Sequence, residues 1–110
     1  MLSINNNKIT LTKGDSLTLT VDIFQGDTPY VIQQGDVIRF ALGTAYKGEY
    51  NYTLVLQKTI DPDTLAFTLS TDETERLEYR EYKYDIEMTH GDGTVDTFIS
   101  STFTITGEVE

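Results

Sequence analysis

The side chains of this chain that could do chemistry are mostly carboxylates and tyrosines, with a single histidine, His90. The absence of cysteine excludes a disulfide framework, a thiolate metal site and a cysteine nucleophile. One histidine cannot build a multi-histidine metal site. A serine nucleophile would need a base, and the sequence contains neither a Gly-x-Ser-x-Gly elbow nor a phosphate-binding glycine motif. We therefore expect no catalytic residue, no cofactor-binding residue and no enzymatic activity.

Carboxylates on loops could bind a hard cation, and Asp61, Asp63 and Asp92 lie in segments with turn chemistry. Their spacing does not match the calcium-binding loop that ends in a bidentate glutamate. Because aspartate is common in turns without any metal, the sequence predicts no metal site. A calcium-dependent module that uses these three aspartates is the weakest alternative. The acidic run from Asp72 to Glu81 is typical of a solvated edge.

Three tyrosines, Tyr46, Tyr50 and Tyr52, fall in a stretch that also carries Gly43 and Gly48 and has no strand pattern. Tyrosine is enriched on recognition surfaces because it combines contact area with a polar tip. Residues 43–52 are therefore predicted to form an exposed loop that contacts protein or carbohydrate. The alternative is that Tyr50 and Tyr52 open the next strand and pack at the end of the fold.

Composition restricts the classes of partner. The net charge of −10, with only eight lysines and arginines, argues against nucleic acid, because phosphate binding needs clustered basic residues. Such a charge keeps a protein soluble, and it attracts basic protein surfaces. Met1 to Ile4 do not form a basic segment followed by an apolar one, so we expect no signal peptide and no membrane span. A length of 110 residues predicts a single domain, residues 1–110.

The elements that must position these side chains are β-strands. Along residues 82–89 apolar side chains alternate with polar ones, which gives this strand one buried face and one solvent-facing face. The polar side chains are those of Lys83, Asp85, Glu87 and Thr89. The same alternation predicts strands at residues 9–12, 16–24, 37–42, 54–60, 65–69 and 95–105. Phe98 is out of phase in the last of these, which predicts a bulge or a covered outer face.

About seven strands with no long helical pattern predict an all-β fold, an immunoglobulin-like antiparallel β-sandwich. One short helical turn is predicted before the penultimate strand, where Thr71, as the capping residue, is followed by acidic residues that suit the positive end of a helix. In such sandwiches a tyrosine at the start of that strand hydrogen-bonds back to the backbone, so we expect Tyr82, or as second choice Tyr84, to be the structural corner residue. The predicted core consists of Leu17, Leu19, Val21, Ile23, Ile38, Phe40, Leu56, Phe67, Leu69, Tyr84, Ile86, Ile99 and Phe103.

Three fragments carry a resemblance to a known family: ITLTKGDS at residues 9–16, GDVIRF at 35–40, and YKYDIEMT at 82–89 with Gly91-Asp92-Gly93 after it. Together they resemble small immunoglobulin-like proteins encoded in the structural modules of tailed phages and prophages of Gram-positive gut bacteria. The similarity extends from the first strand to Ile105. It brings no catalytic residues with it.

The resemblance implies a virion-associated structural or adaptor role in the tail or baseplate. The partners would be other virion proteins or further copies of the same chain. The protein would be made in the host cytoplasm and reside in the virion after assembly. The alternative is a carbohydrate-binding or adhesion β-sandwich at a virion or cell surface, which would use Tyr46 and Tyr50. Neither function requires a cofactor or a small-molecule ligand.

Overall fold

A computed structural model describes residues 2–5, 7–25 and 27–107 of the chain. Within these residues the elements are β1 Leu2–Asn5, β2 Lys8–Thr12, β3 Leu17–Thr20, β4 Phe24–Gln25, β5 Thr28–Pro29, β6 Val37–Gly43, β7 Leu54–Ile60, β8 Ala66–Leu69, α1 Thr71–Glu75, β9 Glu81–Thr89 and β10 Val95–Thr106. The fold is all-β with one short helix before the penultimate strand, as the sequence predicts. The strands exceed the predicted number because β1 and the small β4–β5 hairpin add to the alternating segments.

The strands form a sandwich of one wide sheet and one narrow sheet. The wide sheet has the order β1-β2-β10-β9-β6-β7, the narrow sheet pairs β3 with β8, and β4 pairs with β5 in a separate hairpin. One pair departs from the antiparallel pattern: β10 runs parallel to β2, with Phe103 opposite Ile9. β9 therefore lies in the interior of the wide sheet, and β7 lies at its edge.

The core fills the space between the two sheets. Phe40 on β6 is fully buried, and its ring stacks on Phe67 of β8 at a centroid distance of 4.7 Å. The predicted core residues are buried here, with Leu19, Leu56 and Ile99 partly buried at its margin. Further core side chains, outside the predicted set, are those of Ile9, Leu11, Leu42, Ile60, Leu77, Tyr82, Met88 and Ile105.

The alternation misplaces the end of one strand. It predicts a continuous strand over residues 16–24, but β3 ends at Thr20. Val21 and Ile23 nevertheless remain buried, and the Val21 amide donates to the Leu65 carbonyl at 2.7 Å. Alternating burial shows only that an extended segment passes along a core. It does not show whether a neighbouring strand pairs with that segment.

Phe98 marks a β-bulge, one of the two outcomes that its phase predicts. Along the β9–β10 pair, Thr97 lies opposite Glu87 and Ile99 lies opposite Ile86, so Phe98 is an extra residue. The extra residue reverses the alternation of β10, so that odd-numbered residues face the core beyond this point. The residues that follow can then place Phe103 and Ile105 in the core.

The short helix begins one residue earlier than predicted. Its N-cap is Ser70, not Thr71: the Ser70 hydroxyl accepts from the Glu73 amide at 3.2 Å, and the Glu73 carboxylate accepts from the Ser70 amide at 2.9 Å. This reciprocal pair is a capping box. Thr74 is buried, and its hydroxyl donates to the Asp15 carbonyl at 2.8 Å, which fixes the helix against the turn that follows β2.

Candidate functional site

The candidate site is built on the connection between β6 and β7, residues 44–53, which we call the tyrosine loop. Thr44 closes it, because its amide donates to the Thr53 carbonyl and its hydroxyl donates to the Asn51 carbonyl, both at 3.0 Å. Inside the loop, the Tyr46 amide donates to the Glu49 carboxylate at 2.7 Å, and the Glu49 amide donates to the Tyr46 carbonyl at 3.0 Å. These bonds give the loop backbone a defined conformation.

The three predicted interface tyrosines take different positions on this loop. Tyr50 is fully exposed, and Tyr46 is 39% exposed with the Lys83 ammonium 5.2 Å from its ring centroid. Tyr52 turns inward and is half-buried. A Cβ added to Gly43 would lie 2.5 Å from Cε1 of Tyr52, so the absence of a side chain at Gly43 makes room for this ring. Two tyrosines therefore face outward, and the third anchors the loop to the sheet.

The exposed loop predicted for residues 43–52 is thus only partly exposed, and the outer face of β9 is only partly solvated. Ala45 is buried, and Asp85 is only 7% exposed although its phase predicts a solvent-facing side chain. The loop folds back over this face: the Lys47 ammonium binds both carboxylate oxygens of Glu87 at 3.0 and 3.1 Å. Strand alternation does not reveal whether a later loop covers a face, and this is why the prediction is wrong here.

Asp85 is the unusual member of this cluster. Its Oδ1 atom is buried and has no hydrogen-bond partner among the described residues. Burial, followed by the charge of Glu87, raises the pKa of Asp85, whereas the nearby Lys47 lowers it. Burial and the charge of Asp85 also raise the pKa of Tyr52. An unsatisfied buried acceptor costs about 1–3 kcal/mol, so this position strongly favours a hydrogen-bond donor.

Exposed apolar side chains continue from the tyrosine loop onto the edge of the sheet. Leu54 and Val55 begin β7 and are both exposed. Leu54 lies opposite Gly43 and Leu56 lies opposite Leu42, so Val55 is an extra residue in the β6–β7 pair. β7 is a terminal strand of the wide sheet in the described part of the chain. An edge strand with exposed apolar residues is a ready surface for protein contact.

The two predicted corner tyrosines both hold the backbone, at different places. The Tyr82 hydroxyl accepts from the Glu78 amide at 2.9 Å, which ties the segment after α1 to the start of β9. The Tyr84 hydroxyl donates to the Asn7 carbonyl and ties β9 to the turn between β1 and β2. Burial raises the pKa of Tyr84 to about 12. Both residues have structural contacts, and neither faces the tyrosine loop.

His90 belongs to a cluster that the sequence did not suggest. Its Nδ1 lies 2.9 Å from a carboxylate oxygen of Asp36, and its Nε2 lies 2.7 Å from one of Asp96. Tyr30 donates from its hydroxyl to Asp36 at 2.8 Å. The bonds to Asp96 and Asp36 raise the pKa of His90. Since both ring nitrogens face carboxylates, the ring is suited as an imidazolium to join the segment before β6 to β10, and it is poorly suited to act as a general base.

The aspartates of the calcium alternative are used in turns. Asp61 accepts from the Asp63 amide at 2.8 Å, and Asp92 accepts from the Thr94 amide at 3.0 Å and from the Thr94 hydroxyl at 2.7 Å. Over residues 2–5, 7–25 and 27–107, no group of three or more His, Cys, Asp or Glu side chains is arranged to hold a metal ion. In the same ranges, no helix has the length and apolar character needed to cross a membrane.

No protein-family model and no curated protein matches this chain. The surface through which the protein acts is therefore inferred from the exposed side chains and the charges of the tyrosine loop.

Proposed function

We propose that the protein is a non-catalytic structural or adaptor component of a tailed phage or prophage, in the tail or baseplate region, and that it acts through protein contacts of the tyrosine loop and β7. The observation that carries this proposal is the full exposure of Tyr50 on a loop whose backbone is fixed by its own hydrogen bonds. A rigid loop loses little conformational entropy on binding, so its aromatic side chain can contribute most of its contact energy to affinity.

The assignment to tailed phages rests on the resemblance of the strand and turn fragments. We propose in addition that the sandwich belongs to the immunoglobulin-like class. Several features support that class. β2 pairs in parallel with the last strand, β3 pairs with β8 in a second sheet that packs on the first, and a tyrosine hydroxyl at the start of β9 binds the backbone upstream. Proteins of this class associate through exposed strand edges and end loops, which are the surfaces left open here.

Charge supports the choice of this surface. The protein carries a net charge of −10, so most of its faces repel acidic partners and further copies of itself. Residues 50–60 contain no aspartate or glutamate and include Lys58. This segment covers Tyr50 and the whole of β7. A virion protein, or another copy of the chain, can therefore approach along it without that repulsion.

The test is association of the full chain with the products of the genes beside its own, by co-purification and analytical ultracentrifugation. Tyr50→Ala should weaken the association about tenfold or more, because an exposed tyrosine at an interface is a frequent hot spot. Tyr79→Ala is the matched control, since Tyr79 is another largely exposed tyrosine and lies outside the loop. A chain that stays monomeric at high concentration and retains no neighbouring gene product contradicts the proposal.

The carbohydrate-binding alternative has support from the same ring. Tyr50 exposes both ring faces to solvent, which is what stacking against a sugar requires. A glycan array separates the two functions: a signal with the wild type that disappears in Tyr50→Ala, and persists in Tyr79→Ala, would favour the adhesion module. A wild type without signal removes that alternative.

A further inference from the structure

The tyrosine loop covers a carboxylate whose hydrogen-bonding capacity is not fully satisfied by the described residues of the folded chain. Asp85 is more than nine-tenths buried, and its Oδ1 has no hydrogen-bond partner among the described residues. Neighbouring side chains do not relieve this. Lys47 binds Glu87, while Lys83, which is next on the same face of β9, binds Glu81. A buried carboxylate oxygen without a hydrogen-bond donor lowers the stability of the folded state, so its presence points to a donor that arrives from outside the chain.

We infer that Asp85 and Glu87 form a receptor for one arginine or lysine side chain of the protein that docks on the tyrosine loop, and that Lys47 occupies this receptor in the free chain. The inference rests on the proposed function, because it names the chemistry of the partner at the same loop. A guanidinium or ammonium group donates several hydrogen bonds and carries the charge that two neighbouring carboxylates require.

Lys47 is suited to be displaced. Its side chain is 56% exposed, whereas that of its partner Glu87 is only 13% exposed. An ion pair with one exposed member contributes little, because water and salt compensate for its loss. Lys47 can therefore rotate into solvent while the hydrogen bonds that close the loop at Thr44 stay intact. Displacement of this one flexible side chain then frees the carboxylate of Glu87, two residues from Asp85 on the same face of β9, and needs no change of backbone.

The surroundings favour a single cationic group over a metal ion. Asp85 and Glu87 contribute two carboxylates, and no third acidic or histidine side chain joins them within the described ranges to complete a metal site. Burial and the charge of Asp85 raise the pKa of Tyr52, so this aromatic side chain lies near the cluster, where it suits the flat face of a guanidinium. Arg39 lies opposite Glu87 on β6, and its positive charge disfavours a divalent ion at this place.

The experiment is an NMR titration of the full, isotope-labelled chain with N-acetyl-arginine amide, N-acetyl-lysine amide and N-acetyl-norleucine amide. The side-chain carboxyl signals of Asp85 and Glu87 should shift saturably with the two cationic probes. The norleucine probe, which is uncharged and of similar length, should not shift them. Equal shifts with all three probes would show apolar contact only and would overturn the inference.

Variants assign the effect to the receptor. Lys47→Met keeps the apolar stem and removes the competing charge, so it should bind the cationic probes several-fold more tightly than the wild type. Lys13→Met is the matched control, because Lys13 lies outside the tyrosine loop and β7, with its ammonium 4.9 Å from the ring centroid of Tyr79. Asp85→Asn should weaken binding by roughly thirtyfold, as expected when one partner of a buried charge pair is removed. Asp63→Asn, at an exposed turn, should bind like the wild type.

Should Asp85→Asn fail to fold, the comparison of Lys47→Met with Lys13→Met decides the question alone. No gain in Lys47→Met, or an equal gain in both variants, overturns the inference. Failure of the receptor is distinguishable from failure of the proposed function. If Tyr50→Ala still abolishes association with the neighbouring gene product while Lys47→Met leaves probe binding unchanged, the docking surface stands and the cation receptor does not.

Discussion

At the scale of single residues, this protein places charged groups in two arrangements with opposite consequences. His90 has a carboxylate at each ring nitrogen and is fully used. Asp85 has a buried oxygen that no described residue uses. The first arrangement stabilises the fold in a defined pH range. The second costs stability, and it is therefore the position where a binding function is expected.

The His90 clamp makes a prediction about pH. Asp96 and then Asp36 raise the pKa of His90, so its contribution to stability is present below the unfolded-state pKa of about 6.5 and is lost as pH rises through the higher folded-state pKa. The Gln33 amide, against the opposing effect of burial, lowers the pKa of Asp36. The contribution of this carboxylate is therefore lost only at acid pH, as pH falls through its lowered folded-state pKa.

We expect His90→Gln to lose more stability relative to the wild type at about pH 5.5 than at about pH 8.5, because the ring carries its positive charge more fully at the lower pH. Urea unfolding of both proteins at both pH values measures this difference. Effects of pH that do not involve His90 cancel in the comparison. A loss of stability that is equal at the two pH values, or larger at the higher one, contradicts the ionic clamp.

The residue scale also shows where sequence interpretation stops. Asp36 and His90 are 54 positions apart, and nothing in the local pattern of either indicates the other. Asp85 has the phase of a solvent-facing residue, and only the fold of a loop more than thirty residues earlier buries it. Tyr82, by contrast, could be singled out, because its position at the start of a strong strand after a helical turn is a local signal.

At the scale of elements, the tyrosines of β9 hold together segments with few bonds of their own. The chain between the end of α1 and the start of β9 is irregular, and the Tyr82 hydroxyl binds it at the Glu78 amide. The strand itself is fixed on both sides by β6 and β10. Tyr82 therefore transfers the rigidity of the wide sheet to the crossover that brings α1 over the core.

Tyr82→Phe tests this role of the corner. The substitution keeps the buried ring and removes the hydroxyl that accepts from the Glu78 amide, so we expect a loss of about 1–2 kcal/mol in the free energy of unfolding. Tyr79→Phe is the control, because Tyr79 is largely exposed, and its change should stay within about 0.5 kcal/mol. Chemical denaturation measures both. Equal effects of the two substitutions would mean that the corner bond contributes nothing.

The elements also show how far alternation predicts structure. It finds β6, β7, β9 and β10 within a residue or two, because each has one face on the core and keeps a period of two. It extends β3 too far, since Val21 and Ile23 are buried without belonging to a strand. The helix-start pattern, which is a separate signal, assigns the cap to Thr71, although Ser70 supplies the capping oxygen. Serine and threonine are both good capping residues, so the pattern does not distinguish them.

At the scale of the whole molecule, the order of strands is what the sequence does not contain. β2 lies beside β10, where Phe103 meets Ile9 across nearly the entire chain length. That pairing places β9 and β6 in the interior and leaves β7 at the edge. The tyrosine loop joins an interior strand to this edge strand. Its position beside an open strand is therefore a consequence of topology. The sequence alone predicts only that tyrosines cluster in this loop.

Salt dependence is the whole-molecule property that distinguishes a basic partner from a second copy of the chain. The net charge of −10 attracts a partner that offers a basic side chain to Asp85, whereas two copies that meet along residues 50–60 gain no such attraction because both carry the same net charge. We expect the complex with the neighbouring gene product to weaken when NaCl is raised from about 50 to about 300 mM, mainly through slower association, because the Debye length falls from about 14 to about 6 Å. Surface plasmon resonance with the full chain measures the rate constants.

Tyr50→Ala should lower the affinity by the same factor at every salt concentration, since it removes contact area and no charge. A complex that tightens with salt would instead indicate association between acidic surfaces, and the partner would then bind β7 without a basic group.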